Sequence, residues 1–140
     1  MGVSRLVKKV GKEEWEIAGC YHILAEELYV VDCNHIKDKY FQQLLNAFRT
    51  VCPDHTSECF VVLAKTVLGP WEAYLVFPHF ENAERLHGIM MLVHELGEWC
   101  EFGCASVEYL DASREKLVIR FNPNADFVAM VFQSPWRRFR

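Results

Sequence analysis

The 140-residue chain contains no apolar run close to the roughly 20 residues that a membrane-spanning helix requires, and its first dozen residues lack the apolar core of a secretory signal. The expectation is a soluble protein of the cytoplasm. Leu6 stands where a myristoylation signal wants Ser or Thr, so no lipid anchor is expected. Glycine-rich phosphate cradles and serine nucleophile elbows are absent, which excludes two large groups of nucleotide- and ester-processing enzymes. There is also no internal repeat, no low-complexity run and no linker longer than a turn. The chain therefore reads as one series of alternating elements.

What is present is apolar: 51% of the residues, enough for one domain with its own core. The six cysteines, at 20, 33, 52, 59, 100 and 104, sit within or beside apolar segments and read as reduced, buried thiols rather than a disulfide framework. Of the 15 basic residues, four lie in 1–12 and three in 136–140, which leaves eight against all 19 acidic residues between them, a net charge of −11. The expected organisation is a basic lead-in (1–12), a single α+β domain (13–135) and a basic aromatic tail (136–140). Such an acidic body argues against a broad nucleic-acid surface. The tail, "PWRRFR", mixes rings and guanidinium groups that can stack on bases or clamp phosphates, but it is too short to define a module.

Hydrophobic patterning predicts a strand over 21–31, bent at Glu26 and Glu27, and then a helix over 34–51. In that helix Ile36, Tyr40, Leu44, Ala47, Phe48 and Val51 recur at helical spacing, with Asn34 as N-cap and Pro53 beyond the end. Two β-rich runs, 58–67 and 71–77, flank Gly69-Pro70 and predict a hairpin. A second helix is predicted from Glu81 to Glu101, its apolar arc (Leu86, Ile89, Met90, Val93, Leu96, Cys100) widened by Leu92 and Trp99. A closing hairpin over 105–110 and 115–121 precedes a short apolar segment, 125–133. The order β-α-β-β-α-β-β implies a two-layer α+β sandwich: a mainly antiparallel sheet with two helices on one face. The breadth of the second helix's apolar arc points to a homo-oligomer or a protein partner.

Metal chemistry finds little support. Cys20-Tyr21-His22 and Cys33-Asn34-His35 repeat a spacing that suits one zinc ion within a strand, but neither lies in the turn that structural zinc sites favour. Cys100 and Cys104 have three intervening residues, where a redox or zinc pair normally has two. "HELGE", from His94 to Glu98, lacks the second histidine of the metalloprotease helix, and His87, His94 and Glu98 read as a solvated face. No metal is expected.

The chain's motifs follow the order of a known family. "HILAEELY" (22–29) resembles the His-Leu-Leu-x-x-Leu-Tyr first strand of the bacterial-type S-adenosylmethionine decarboxylases, and "FVVLAKTVLGPWEAYLVFPHF" (60–80) is similar to their central region. There a Val-Val-Leu-Ala strand leads to Glu-Ser-His, then Trp-Pro-Glu. The resemblance covers about residues 19–110, and implies a β-α-β-β-α-β protomer and a link to polyamine biosynthesis. In that family the serine cleaves its own chain and becomes a pyruvoyl group, an electron sink that captures the substrate amine. Here the three positions read Lys65, Thr66 and Val67, so no pyruvoyl cofactor is expected. The family's cysteine proton donor falls at His79, which can exchange a proton near neutral pH.

The resemblance thus nominates Thr66, Glu72 and His79 as catalytic positions and Lys65 and Trp71 as ligand-binding ones. It implies a divergent, lyase-related domain that binds a nucleoside-type small molecule or regulates a partner. Lys65, Glu72 and His79 are expected to converge on one pocket. The alternative is a protein–protein interaction module without a small-molecule site.

Overall fold

The computed structural model describes residues 6–19, 21–51, 58–78, 105–109 and 117–139. In chain order these form β1 (Val7–Gly11), β2 (Glu14–Ile17), β3 (Tyr21–Leu24), β4 (Glu27–Asp32), a 3-10 turn (Cys33–His35), α1 (Lys39–Val51), β5 (Phe60–Lys65), β6 (Trp71–Phe77), β7 (Ala105–Tyr109), β8 (Leu117–Phe121), α2 (Ala125–Phe132) and β9 (Trp136–Phe139). Six strands make an antiparallel sheet in the order β7-β8-β6-β5-β4-β9, and β1, β2 and β3 make a second, smaller one. The two described α-helices pack on one face of the large sheet, giving the α+β sandwich that the order of elements implied. The predicted second helix, 81–101, lies outside the described residues.

The run Val61-Val62-Leu63-Ala64 is buried throughout, as expected of a strand covered on both faces. Because side chains alternate along a strand, it divides two cores. Val61 and Leu63, with Ala73, Leu75, Phe77, Ile119 and Phe121 from neighbouring strands, meet Phe41 and Leu45 of α1 and Phe127 and Val131 of α2. Val62 and Ala64, with Leu28, Val30, Tyr74, Val76 and Val118, meet Trp15, Ile17 and Ile23 of the small sheet. Each large side chain fully buried this way contributes about 1.5–3 kcal/mol.

Capping residues set the helix limits. The Asp38 carboxylate accepts from the N–H of Phe41 at 2.9 Å and its carbonyl accepts from the N–H of Gln42 at 3.0 Å, so α1 starts after Asp38 and not at Asn34. Asp32 caps the preceding 3-10 turn through the N–H of Asn34, and the backbone is extended at Ile36, which interrupts the predicted helix. The Asn34 side chain instead accepts from Arg49 at 2.8 Å. The short apolar segment 125–133 carries α2: Asn124 accepts from the N–H of Phe127 at 2.9 Å, and Phe127 and Val131 are buried one turn apart.

Three further differences concern the strands. The predicted strand 21–31 is two strands, for the chain leaves the small sheet after Leu24 and enters the large one at Glu27. Ala25 donates to the Glu13 carbonyl at 2.9 Å and Glu26 to that of Lys65 at 2.8 Å, so the corner is bonded to both sheets. The basic lead-in contains β1, whose Lys8 and Lys9 face solvent while Val7 is buried. The aromatic tail is not loose: residues 136–139 pair with β4 from Val31↔Trp136 to Leu28↔Phe139. Main-chain pairing and ring contacts hold it there while its arginines stay exposed.

If the small sheet is a structural layer, Ile17→Ala should cost as much as truncating the helix-side Leu75, about 2–5 kcal/mol each by urea denaturation. A cost near zero for Ile17→Ala would mean that this sheet does not cover the core.

Candidate small-molecule site

The turn between β5 and β6 faces β3, and between them lies a hollow of about 520 Å³. Thr66, Val67, Leu68, Gly69 and Pro70 form one wall, Tyr21 to Leu24 the other, and Glu72, Tyr74 and Arg120 the rest of the lining. The turn is clamped internally, because the Thr66 hydroxyl donates to the Pro70 carbonyl at 2.8 Å. A Cβ on Gly69 would sit 3.2 Å from that hydroxyl oxygen, so glycine lets the clamp close. The rim is apolar, with Leu68 98% and Leu24 62% exposed and Val67 beside them.

The inner part is polar. Glu72 and Tyr74 are two apart on β6 and share a face, and the Tyr74 hydroxyl donates to the Glu72 carboxylate. The Tyr21 and Tyr74 rings lie 5.7 Å apart, and Arg120, opposite Tyr74 on β8, donates to the Tyr21 hydroxyl at 3.4 Å. At the outer end His22 is 3.5 Å from Glu16, directly across the β2–β3 ladder. Burial pushes the Tyr74 phenol well above the usual tyrosine range, and the hydrogen bond to Glu72 and its negative charge push it further. The group is thus a fixed donor to the carboxylate at all physiological pH values.

The nominated residues divide between two places. Thr66 and Glu72 line the hollow together. Lys65 and Trp71 do not: they pair across the hairpin one step further along, and strand alternation turns them to the helix-side face. There Trp71 contacts the Tyr29 and Phe132 rings at 5.9 and 5.7 Å. Trp136 joins the same cluster, edge-on to Tyr29 at 5.2 Å and to Phe132 at 5.7 Å. Glu27 accepts from the Tyr29 hydroxyl at 3.0 Å and pairs with Arg138 at 3.4 Å. Trp71 therefore serves packing, and Lys65 is exposed at the end of β5. The expected convergence of Lys65 with Glu72 is not found, for a one-residue offset on paired strands sends them to opposite faces. His79, like the "HELGE" segment, lies outside the described residues.

Tyr21, Tyr74 and Arg120 were not singled out by sequence. The spacing Glu72-Ala73-Tyr74 signals a same-face polar pair, but Arg120 is legible only once β8 is known to lie beside β6. Of the residues weighed for zinc, His22 and His35 are exposed and Cys33 is buried against Cys59, while Cys20 lies outside the described residues. Among the described residues no group of three or more His, Cys, Asp or Glu could hold a metal, and no helix is long and apolar enough to cross a membrane. Comparison of the chain with family models, curated proteins and solved structures gives no match.

The suppressed ionisation of Tyr74 has a definite sign. The folded state keeps a proton that the unfolded chain releases near pH 10, so this contribution to stability is intact below about pH 10 and is lost as the pH rises further. Urea denaturation at a series of alkaline pH values should show stability falling, and Tyr74→Phe should make the fall shallower by about one proton's slope. An identical slope in both proteins would mean that Tyr74 ionises freely in the fold.

Proposed function

We propose that the hollow between β3 and the β5–β6 turn binds a nucleoside-type small molecule, and that the chain is a divergent S-adenosylmethionine decarboxylase-like domain working without a pyruvoyl group. One observation carries this reading: Thr66 and Glu72, at the positions of the resembled family's processing serine and Trp-Pro-Glu carboxylate, line the same hollow with Tyr21, Tyr74 and Arg120. The volume of about 520 Å³ lies within the roughly 300–1,000 Å³ usual for small-molecule sites. A base would lie against Leu24, Val67 and the Tyr21 ring, and sugar hydroxyls would donate to Glu72. The Thr66 hydroxyl proton is engaged by the Pro70 carbonyl, which supports a turn-clamping role over attack on its own chain.

The exposure of Leu68 and Leu24 favours a second reading, a protein-docking module whose partner covers the rim. Titration calorimetry with adenosine and S-adenosylmethionine separates the two. Saturable binding, weakened about tenfold (~1.4 kcal/mol) by Glu72→Ala, is the expected result. No saturable uptake by the wild-type chain would overturn the ligand reading. Intact-mass measurement should find one unbroken 16.4 kDa chain; a split between Lys65 and Thr66 would contradict the pyruvoyl-free form.

A further inference from the structure

β4 and β5 are paired from Glu27↔Lys65 to Asp32↔Phe60, and one more step of that register sets Cys33 opposite Cys59. The backbone takes that step, because the N–H of Cys33 donates to the Cys59 carbonyl at 3.0 Å. Both side chains belong to the helix-side core, at 0% and 1% exposure, and both thiols are free. Directly opposed residues in a hydrogen-bonded antiparallel pair have Cα atoms about 5.5 Å apart. That separation falls inside the disulfide range of about 4.4–6.8 Å. Burial holds the Cys33 thiol well above its usual range, and its hydrogen bond to the Cys59 side chain adds to this. In the closed fold the Cys33 thiol is protonated and unreactive.

We propose that Cys33 and Cys59 form a reversible redox latch, closed by exchange with a small disulfide of the glutathione type. A local opening exposes one thiol, which loses its proton and attacks the reagent disulfide, releasing one reagent thiol and leaving a mixed disulfide. The second protein thiol then attacks the protein-side sulfur, forms the Cys33–Cys59 bond and releases the second reagent thiol. Two electrons pass from the cysteines to the reagent, and two protons end on its thiols. The closed latch ties the 3-10 turn to the start of β5. It encloses residues 34–58, the stretch that carries α1, and so restricts the unfolded chain.

A chain with Cys20, Cys52, Cys100 and Cys104 all changed to Ser isolates the pair. Equilibrated with oxidised glutathione, it should lose both thiols together and give a linked Cys33–Cys59 peptide under non-reducing conditions. Sub-denaturing urea should speed the reaction several-fold, and the linked protein should melt roughly 5–10 °C higher. Dithiothreitol should reverse both changes. A mixed disulfide that persists without linkage, no reaction at any urea concentration, or a linked form that melts lower would each overturn the proposal. Non-reducing peptide mapping of the wild-type chain reads the same bond if the serine variant does not fold.

Discussion

The β5–β6 ladder is the constraint on which the other layers depend. Six consecutive pairs, from Phe60↔Val76 to Lys65↔Trp71, hold two strands whose side chains are buried alternately on opposite sides. Slipping β6 by one residue against β5 would turn Leu75 toward the small sheet and Tyr74 toward the helices. The helix-side core does not tolerate the exchange, because it would have to take the Glu72 carboxylate and the Tyr74 hydroxyl among apolar residues such as Phe41 and Phe127. The helices, the small sheet and the hollow are all positioned relative to this ladder.

The same alternation explains how residues adjacent in sequence come to serve different ends. Lys65 and Thr66, or Trp71 and Glu72, are neighbours in the chain and lie on opposite sides of the sheet. One side gathers Tyr29, Trp71, Phe132 and Trp136 into a set of edge-to-face rings that anchors the C-terminal strand. The other gathers a carboxylate, two phenols and a guanidinium around an open space.

Much of this was legible in the sequence, and the exceptions have physical causes. The two hairpins were marked by Gly69-Pro70 and by Asp111-Ala112-Ser113-Arg114, and the α+β sandwich followed from the order of elements. Glu14-Trp15-Glu16-Ile17 alternates polar and apolar residues, the signal of β2, but at four residues it does not stand out beside the longer β-rich run from Tyr21. The strand over 21–31 looked continuous because nothing local says that Ala25 bonds to one sheet and Glu26 to the other. The start of α1 was misplaced because Asp32, Asn34 and Asp38 are all good caps, and only the extended backbone at Ile36 decides between them. At the candidate site, Thr66 and Glu72 were found through motif resemblance. Arg120 reaches the hollow through strand order, which sequence spacing does not encode.

β9 closes one margin of the large sheet among the described strands, and it does so with Arg137 and Arg138 exposed. A strand from another molecule added there in register would bring rows of like charge together in a flat ribbon, an arrangement that antiparallel pairing makes costly. Because Arg138 is held by Glu27 and stacked over Tyr29, while Arg137 lies over Phe139, these charges are fixed in place. The segment that seals the last strand of the core thus also discourages the sheet from growing into a fibre.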